Sequence, residues 1–288
     1  MILIVGATGQ LGGRVLTSLR ARGHAVRALV RAGSDDHIAR NAGAEIAQGD
    51  LRDHESLERA CAGVEAVLST ANSARRSGAD TVQAVDLDGS AALIGVAVAA
   101  GVRHFAYVSV LDARPDHPVP FFAAKGATEA RLRDSGLRWT VLAPNLFMES
   151  WPMRVIGIPA RAGLAVPIVG EGRRRHTFVA EGDVAAFAVA VLTGPVGPNE
   201  RVRIGGPEAL SWRDVVAVYE RVLERPLDIR SARPGEALPG VPPAVLPLLA
   251  ATDTFDSNFD TGPAAAAFGV RLTRLEDVIR AEAGPGTK

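Results

Sequence analysis

The 288 residues carry 32 basic and 32 acidic side chains, so no net field draws the chain toward nucleic acid or an anionic membrane. A lone cysteine, Cys61, excludes an intrachain disulfide and a cysteine-based zinc site. With 47% hydrophobic residues, a first strand that starts at residue 2 without a leader, and only a short, glycine-interrupted apolar stretch at 91–102, the reading is a cytoplasmic globular protein.

The first half alternates short apolar runs with helical spacing. Strands are expected at 2–5, 25–30, 44–48, 64–69, 105–109 and 139–142. Between them lie helical patterns at 10–22, 54–62, 81–100 and 122–135, closed by Gly23, Gly63, Gly101 and Gly136. Continuous apolar strands separated by helices of this length predict a parallel sheet covered on both faces, wound in both directions. After Pro144 the rhythm breaks and prolines become dense. Helices are expected at 183–192 with Asp183 as cap, at 211–223 with Ser211 and Asp214 as a capping pair, and at 274–283. A strand is expected at 201–204, and 234–247 reads as irregular. The fold class is therefore α/β, a doubly wound parallel sheet of Rossmann type with a smaller, irregular C-terminal lobe on the substrate side. The expected division is 1–150 for the core, with 182–206 returning to it, and 151–288 for the lobe.

The sharpest signal is Gly6-Ala7-Thr8-Gly9-Gln10-Leu11-Gly12, which follows the first strand directly and opens the first helix. A strand, a glycine turn and a helix N-terminus present backbone N–H groups and a positive dipole end to a pyrophosphate. Gly6 permits the turn, Gly9 admits the phosphate, and Gly12 lets helix meet strand. A chain that prefers NAD(H) shows an acid at the end of the second strand; here Arg31 stands there, and a guanidinium suits a 2′-phosphate. The expected cofactor is NADP(H) in preference to NAD(H). The basic run 173–176 reads as a solvated loop or strand edge, and no metal-ligand cluster is seen in the sequence.

The glycine motif, Arg31, Gly49-Asp50-Leu51, Tyr107-Val108-Ser109, Lys125 to Glu129 and the segment Leu142 to Met148 resemble the atypical short-chain dehydrogenases. Within them the chain is most similar to the NmrA-like group, which includes quinone and triphenylmethane reductases and cofactor-sensing regulators. That resemblance implies that Asp50 and Leu51 flank the adenine and that Ser69, Thr70 and Ala71 line the cofactor. It also implies that Ser109 takes the catalytic serine's place, that Lys125 bonds the nicotinamide ribose, and that Pro144 and Asn145 border the nicotinamide. The chain departs from the tyrosine-bearing members at one position: Phe121 stands four residues before Lys125, where they place a proton-donating tyrosine, and a phenyl ring has no proton to give. Lys125 is then the candidate proton donor, or a lysine that binds the ribose or salt-bridges to Glu129 at i+4.

On the substrate side the candidates are His117, Phe121, Phe147, Met148 and Trp151, with Phe178 as a further apolar residue. They point to a small apolar or aromatic substrate. Two functions of different class follow. One is an NADPH-dependent reductase of a quinone-like, enone or other conjugated small molecule, whose delocalised acceptor tolerates loss of the tyrosine. The other is an NADP(H)-sensing regulatory or binding protein without turnover. Retention of Ser109 and Lys125 favours the oxidoreductase; an oligomer is left open.

Overall fold

The structure, a computed structural model, describes residues 1–73, 78–195, 199–238, 241 and 243–283. In chain order the elements are β1 (Ile2–Val5), α1 (Gln10–Ala21), β2 (Val26–Val30), α2 (His37–Asn41), β3 (Glu45–Gln48), α3 (His54–Cys61) and β4 (Ala66–Ser69). A π-helix (Val82–Gly89) runs into α4 (Ser90–Ala99), and β5 (His104–Val108), α5 (Pro120–Arg133) and β6 (Arg138–Pro144) follow. A second π-helical turn (Met153–Gly157) leads to α6 (Ile158–Arg161), β7 (Val166–Val169), α7 (Glu181–Thr193), β8 (Glu200–Ile204) and α8 (Trp212–Leu223). The chain closes with β9 (Ile229–Ala232), α9 (Leu246–Ala251), α10 (Gly262–Ala267) and α11 (Leu275–Ala283).

Two compact units form: Met1–Pro144 with Val184–Arg203, and Asn145–Asp183 with Ile204–Lys288. The first is built on a seven-stranded sheet in the order β3-β2-β1-β4-β5-β6-β8, with the pairs from β3 through β6 all parallel. Every residue of β1, β4 and β5 is buried, as strands covered on both faces must be. Val5 pairs with Ser69, and Ser69 with Tyr107. That register aligns the carboxyl ends of β1, β4 and β5, so the loops after them start from one edge of the sheet, where ligands bind in such folds.

The helix expected across 81–100 divides. Its first half is π-helical, a rare geometry that is frequent at functional sites. Here it carries Asp86, whose backbone carbonyl accepts from Thr128 Oγ1 at 3.0 Å. The combined run Val82–Ala99 is long and apolar enough to cross a membrane by length and composition alone. Its Val85, Leu93, Ile94, Val96 and Ala97 pack with Leu3, Leu57, Phe105 and Tyr107, so it serves as a core helix.

The second unit has its own core, centred on Ile156, Val166, Phe178, Val215, Tyr219, Leu275 and Ile279. It contains a parallel two-stranded sheet, β7 with β9, that sequence patterning did not anticipate. Both strands are four residues long, and Pro167 within β7 reads as a breaker although an edge strand tolerates it. The expected capping pair of α8 is present, Ser211 and Asp214 bonding reciprocally. The expected cap Asp183 is instead inside the first turn of α7, where its carboxylate accepts from Thr273 N and Oγ1. Of the stretch expected to be irregular, 239, 240 and 242 lie outside the described residues, and the remainder runs through a 3-10 turn (Pro243–Val245) into α9.

Two buried histidines make stability depend on pH. His104 Nε2 lies 3.0 Å from Thr140 Oγ1. His176 Nε2 donates to Thr252 O, which leaves Nδ1 to accept from Ser257 Oγ. Burial holds both imidazoles below the ordinary value of 6.5. As pH falls through that value the unfolded chain takes up protons that the folded chain refuses, so stability drops, and it goes on dropping until the folded imidazoles titrate. The Tm is expected to fall more steeply between about pH 6.5 and 5 in the wild type than in His176→Gln or His104→Gln. Parallel Tm profiles for all three proteins would show that these imidazoles do not set the slope.

Candidate functional site

The turn after β1 has the geometry its sequence demands. Gly6 adopts φ +90°, a conformation that side chains disfavour, and a Cβ there would meet Thr70 Oγ1 at 2.5 Å. A Cβ on Gly12 would lie 2.2 Å from Gly6 O, so only glycine lets α1 start this close to the strand. Gly9 caps α1 with no side chain to bond the first-turn N–H groups, and no acid stands in that turn. Thr8, Gly9 and Gln10 are exposed, while Leu11 is half-buried. An uncapped, unneutralised helix N-terminus opening to solvent beyond a buried strand fits a pyrophosphate.

Beside this loop, at the ends of β2 and β3, charged side chains converge. Arg31 Nη1 lies 2.5 Å from Asp80 Oδ2. Asp50 accepts from Arg52 Nε and Nη2, and this charge-assisted bond holds the Asp50 carboxyl below its usual range. Leu51 is buried in the core of the unit and sits against Gly89.

At the ends of β4 and β5 lies a buried polar group. Lys125, on α5, is 2% exposed and donates to Val108 O at 3.3 Å. Its Nζ is 3.7 Å from Asp86 Oδ1, and Asp86 is fully buried. The ammonium also lies 4.8 Å from the Tyr107 ring centroid and 5.6 Å from that of Phe121. The position that lacks its tyrosine is thus beside the lysine in space as well as in sequence. Asp86 Oδ2 accepts from Ser73 N and Oγ, while Asp86 Oδ1, Tyr107 OH and Ser69 Oγ have no hydrogen-bond partner among the described residues. Thr70 Oγ1 donates to Val5 O and rests against Gly6, and Ala71 is buried beside it, so both brace the glycine turn.

Glu129 is not the partner of Lys125. Its carboxylate accepts from Ser109 Oγ at 2.5 Å and from Arg201 Nε at 2.9 Å. The Ser109 proton is therefore directed at Glu129. Arg201 also donates to Val110 O and Leu111 O, fixing the loop after β5. His117 lies in that loop as a structural residue: Nδ1 accepts from Val119 N, Nε2 faces Asp112 Oδ2 at 3.2 Å, and the ring stands edge-on to Phe122.

Pro144 ends β6, buried, in the first unit; Asn145, Phe147, Met148 and Trp151 belong to the second. Asn145 donates to Thr177 Oγ1 and to Ser257 O, and its Oδ1 lies 3.2 Å from Ser257 Oγ, which leaves little of its amide for a ligand. Met148 is 1% exposed within the core of its unit, and Phe178 is buried there against Trp212, so packing rather than substrate lining accounts for both. Phe147 and Trp151 are half-buried. His176, which ends the basic run, is an interior histidine, while Arg174 and Arg175 pair with Asp256 and Asp214.

Sequence patterning missed Asp86, Asp80, Arg52 and the Glu129–Arg201 pair. One signal was available: Asp86 is a carboxylate in an otherwise apolar helical run, and a charge there must have a buried partner. Among the described residues no group of three or more metal-ligating side chains converges.

The NmrA-like family model matches residues 1–279. The NAD(P)H azoreductase of Xenophilus azovorans is 33% identical over 227 residues, which cover 79% of this chain and 75% of the azoreductase. The photosystem II assembly factor Ycf39 of Cyanophora paradoxa is 36% identical over 228 residues, covering 77% of this chain and 68% of Ycf39. The NADPH-dependent quinone oxidoreductase of Escherichia coli, solved in complex with NADPH, aligns over 99% of this chain and 100% of its own at a TM-score of 0.79 and 24% identity, a likeness of fold.

Proposed function

The chain belongs to the NmrA-like family, and from that premise we propose that it is an NAD(P)H-dependent oxidoreductase that reduces conjugated acceptors, such as quinones, azo compounds or enones, with NADPH preferred. The observation that carries this reading is the buried Lys125 with Phe121, not a tyrosine, beside it. Simple ketone reduction needs a positioned acid at the carbonyl oxygen, and a phenyl ring supplies none. A conjugated acceptor spreads the incoming charge and takes its proton from water or from an ammonium group. The bound nicotinamide would supply the hydride. The chain's own residues then have positioning tasks: the glycine turn holds the pyrophosphate, Lys125 bonds the ribose, and Arg31 meets the 2′-phosphate. The test is NADPH oxidation followed by absorbance across quinones, azo dyes, enones and simple ketones. Turnover is expected on the first three classes and not on the last.

A second reading, a protein that binds NADP(H) without turnover, is favoured by the commitment of the Ser109 proton to Glu129 and by the identity with an assembly factor. Tight NADPH binding with no turnover on any acceptor would decide for it.

The cofactor preference has its own test. A charge-assisted bond from Arg31 to the 2′-phosphate is worth about 1.5–3 kcal/mol, or roughly 10- to 150-fold in affinity. Arg31→Ala is expected to weaken NADPH by that factor in calorimetry and to leave NADH within about twofold. Equal losses for both cofactors would take Arg31 out of the 2′-phosphate site.

A further inference from the structure

We propose that Arg52 joins Arg31 in a two-guanidinium clamp for the 2′-phosphate, and that Asp80, which bridges the two arginines, is a built-in competitor for it. The proposal rests on the reading that Arg31 faces the adenosine half of NADP(H).

One carboxylate bridges two arginines here. Asp80 Oδ2 lies 2.5 Å from Arg31 Nη1, and Asp80 Oδ1 lies 3.4 Å from Arg52 Nη1. Arg52 is held from the other side, since Asp50 grips its Nε and Nη2 at 2.9 and 3.0 Å. The guanidinium is thereby fixed with Nη1 aimed at the point where Arg31 also aims. Arg31 and Arg52 are 36% and 39% exposed along their side chains and Asp80 is 11% exposed, so the two cations open to solvent around a carboxylate that is mostly covered.

The location suits an adenosine phosphate. Arg31 follows β2 and Arg52 follows β3, and in the sheet order β2 lies next to β1, whose loop is the phosphate turn. A dinucleotide seated on that turn extends its adenosine ribose over the end of the second strand. A phosphate monoester carries three acceptor oxygens and close to two negative charges, and a pair of guanidinium forks matches it better than one. Asp80 already occupies this geometry with a single negative charge. It must give up its bridges when a 2′-phosphate enters. A 2′-hydroxyl, as in NADH, asks for no such exchange. Asp80 therefore lowers the affinity for NADPH and leaves that for NADH alone, so it sets the discrimination between the two.

Calorimetry on the full chain tests this with four probes: NADPH, NADH, adenosine 2′,5′-bisphosphate and adenosine 5′-monophosphate. The last two isolate the phosphate from the nicotinamide. Asp80→Asn, nearly isosteric, is expected to tighten NADPH and the bisphosphate by about 5- to 20-fold and to leave NADH and the monophosphate within about twofold. Arg52→Ala is expected to weaken the two 2′-phosphorylated probes by about tenfold, and in that background the gain from Asp80→Asn shrinks. An Asp80→Asn variant with unchanged or weaker NADPH binding overturns the competitor role. One that loses NADH affinity overturns it too, by showing that Asp80 holds a ribose hydroxyl. An Arg52→Ala variant with wild-type NADPH affinity removes Arg52 from the clamp. Arg31→Ala separates the levels: selective loss of NADPH there, with no response at Arg52 or Asp80, defeats the clamp alone, whereas equal loss of all four probes defeats the underlying cofactor reading.

Discussion

Lys125→Met is expected to abolish most turnover and, in the same variant, to lower stability by about 3–5 kcal/mol, the usual result of stripping one partner from a buried ion pair. Asp86 has no solvent exposure, and the Lys125 ammonium at 3.7 Å is its cationic partner. Methionine keeps most of the lysine stem and removes the charge, leaving the Asp86 carboxyl in a dry interior without its cation, bonded by Ser73 N and Oγ. A loss of activity from this single variant would therefore mix unfolding with chemistry. The double variant Lys125→Met with Asp86→Asn separates them. Asparagine retains an acceptor for Ser73 and carries no charge, so most of the lost stability is expected to return. Turnover is expected to remain down by about 100-fold or more, because the group proposed to position the ribose or move the proton is still absent. Denaturant melts and steady-state NADPH oxidation on both variants provide the readouts. A double variant that regains stability and wild-type kcat and KM would remove Lys125 from the reacting centre.

Gly9→Val is expected to weaken NADPH by more than about 100-fold while leaving Tm close to that of the wild type, and Gly12→Ala to lose both. The difference lies in what a side chain meets. At Gly9 the one heavy atom among the described residues that a Cβ would meet is Gly6 O at 3.3 Å, and the residue faces solvent, so the valine fits the protein but fills the space proposed for the pyrophosphate. At Gly12 the Cβ lies 2.2 Å from Gly6 O and 2.8 Å from Gly6 C, both backbone, so the turn or the helix must move. Overpacking of this kind costs about 1–3 kcal/mol. Thermal melts beside cofactor titrations distinguish the two effects. Near-wild-type NADPH affinity in Gly9→Val would mean that the pyrophosphate does not rest on this loop.

The first unit was legible because its information is local. Runs of buried apolar residues, glycine-closed helices and the motif from Gly6 to Gly12 each act within a few residues of themselves, and the strands at 2–5, 25–30 and 64–69 match β1, β2 and β4 to within two residues. The second unit was less so. Its strands are four residues long, its helices α9 and α10 six, and such segments gain their conformation from partners far along the chain.

The candidate site divides along the same line. The sequence by itself determined the glycine turn and Arg31 at the end of β2 through strand and turn spacing, and its resemblance to the tyrosine-bearing short-chain dehydrogenases put Phe121, four residues before Lys125, in the tyrosine's place. Only the tertiary structure decided which charges meet. The i+4 rule offered Glu129 to Lys125, yet helix α5 sends Lys125 to Asp86 and Glu129 to Ser109 and Arg201, residues 20 and 72 positions away. Asp80 likewise reaches Arg31 across 49 positions. A buried charge takes the partner that the packed elements bring within reach, because an unpaired charge in the interior is far costlier than a missed neighbour on a helix surface.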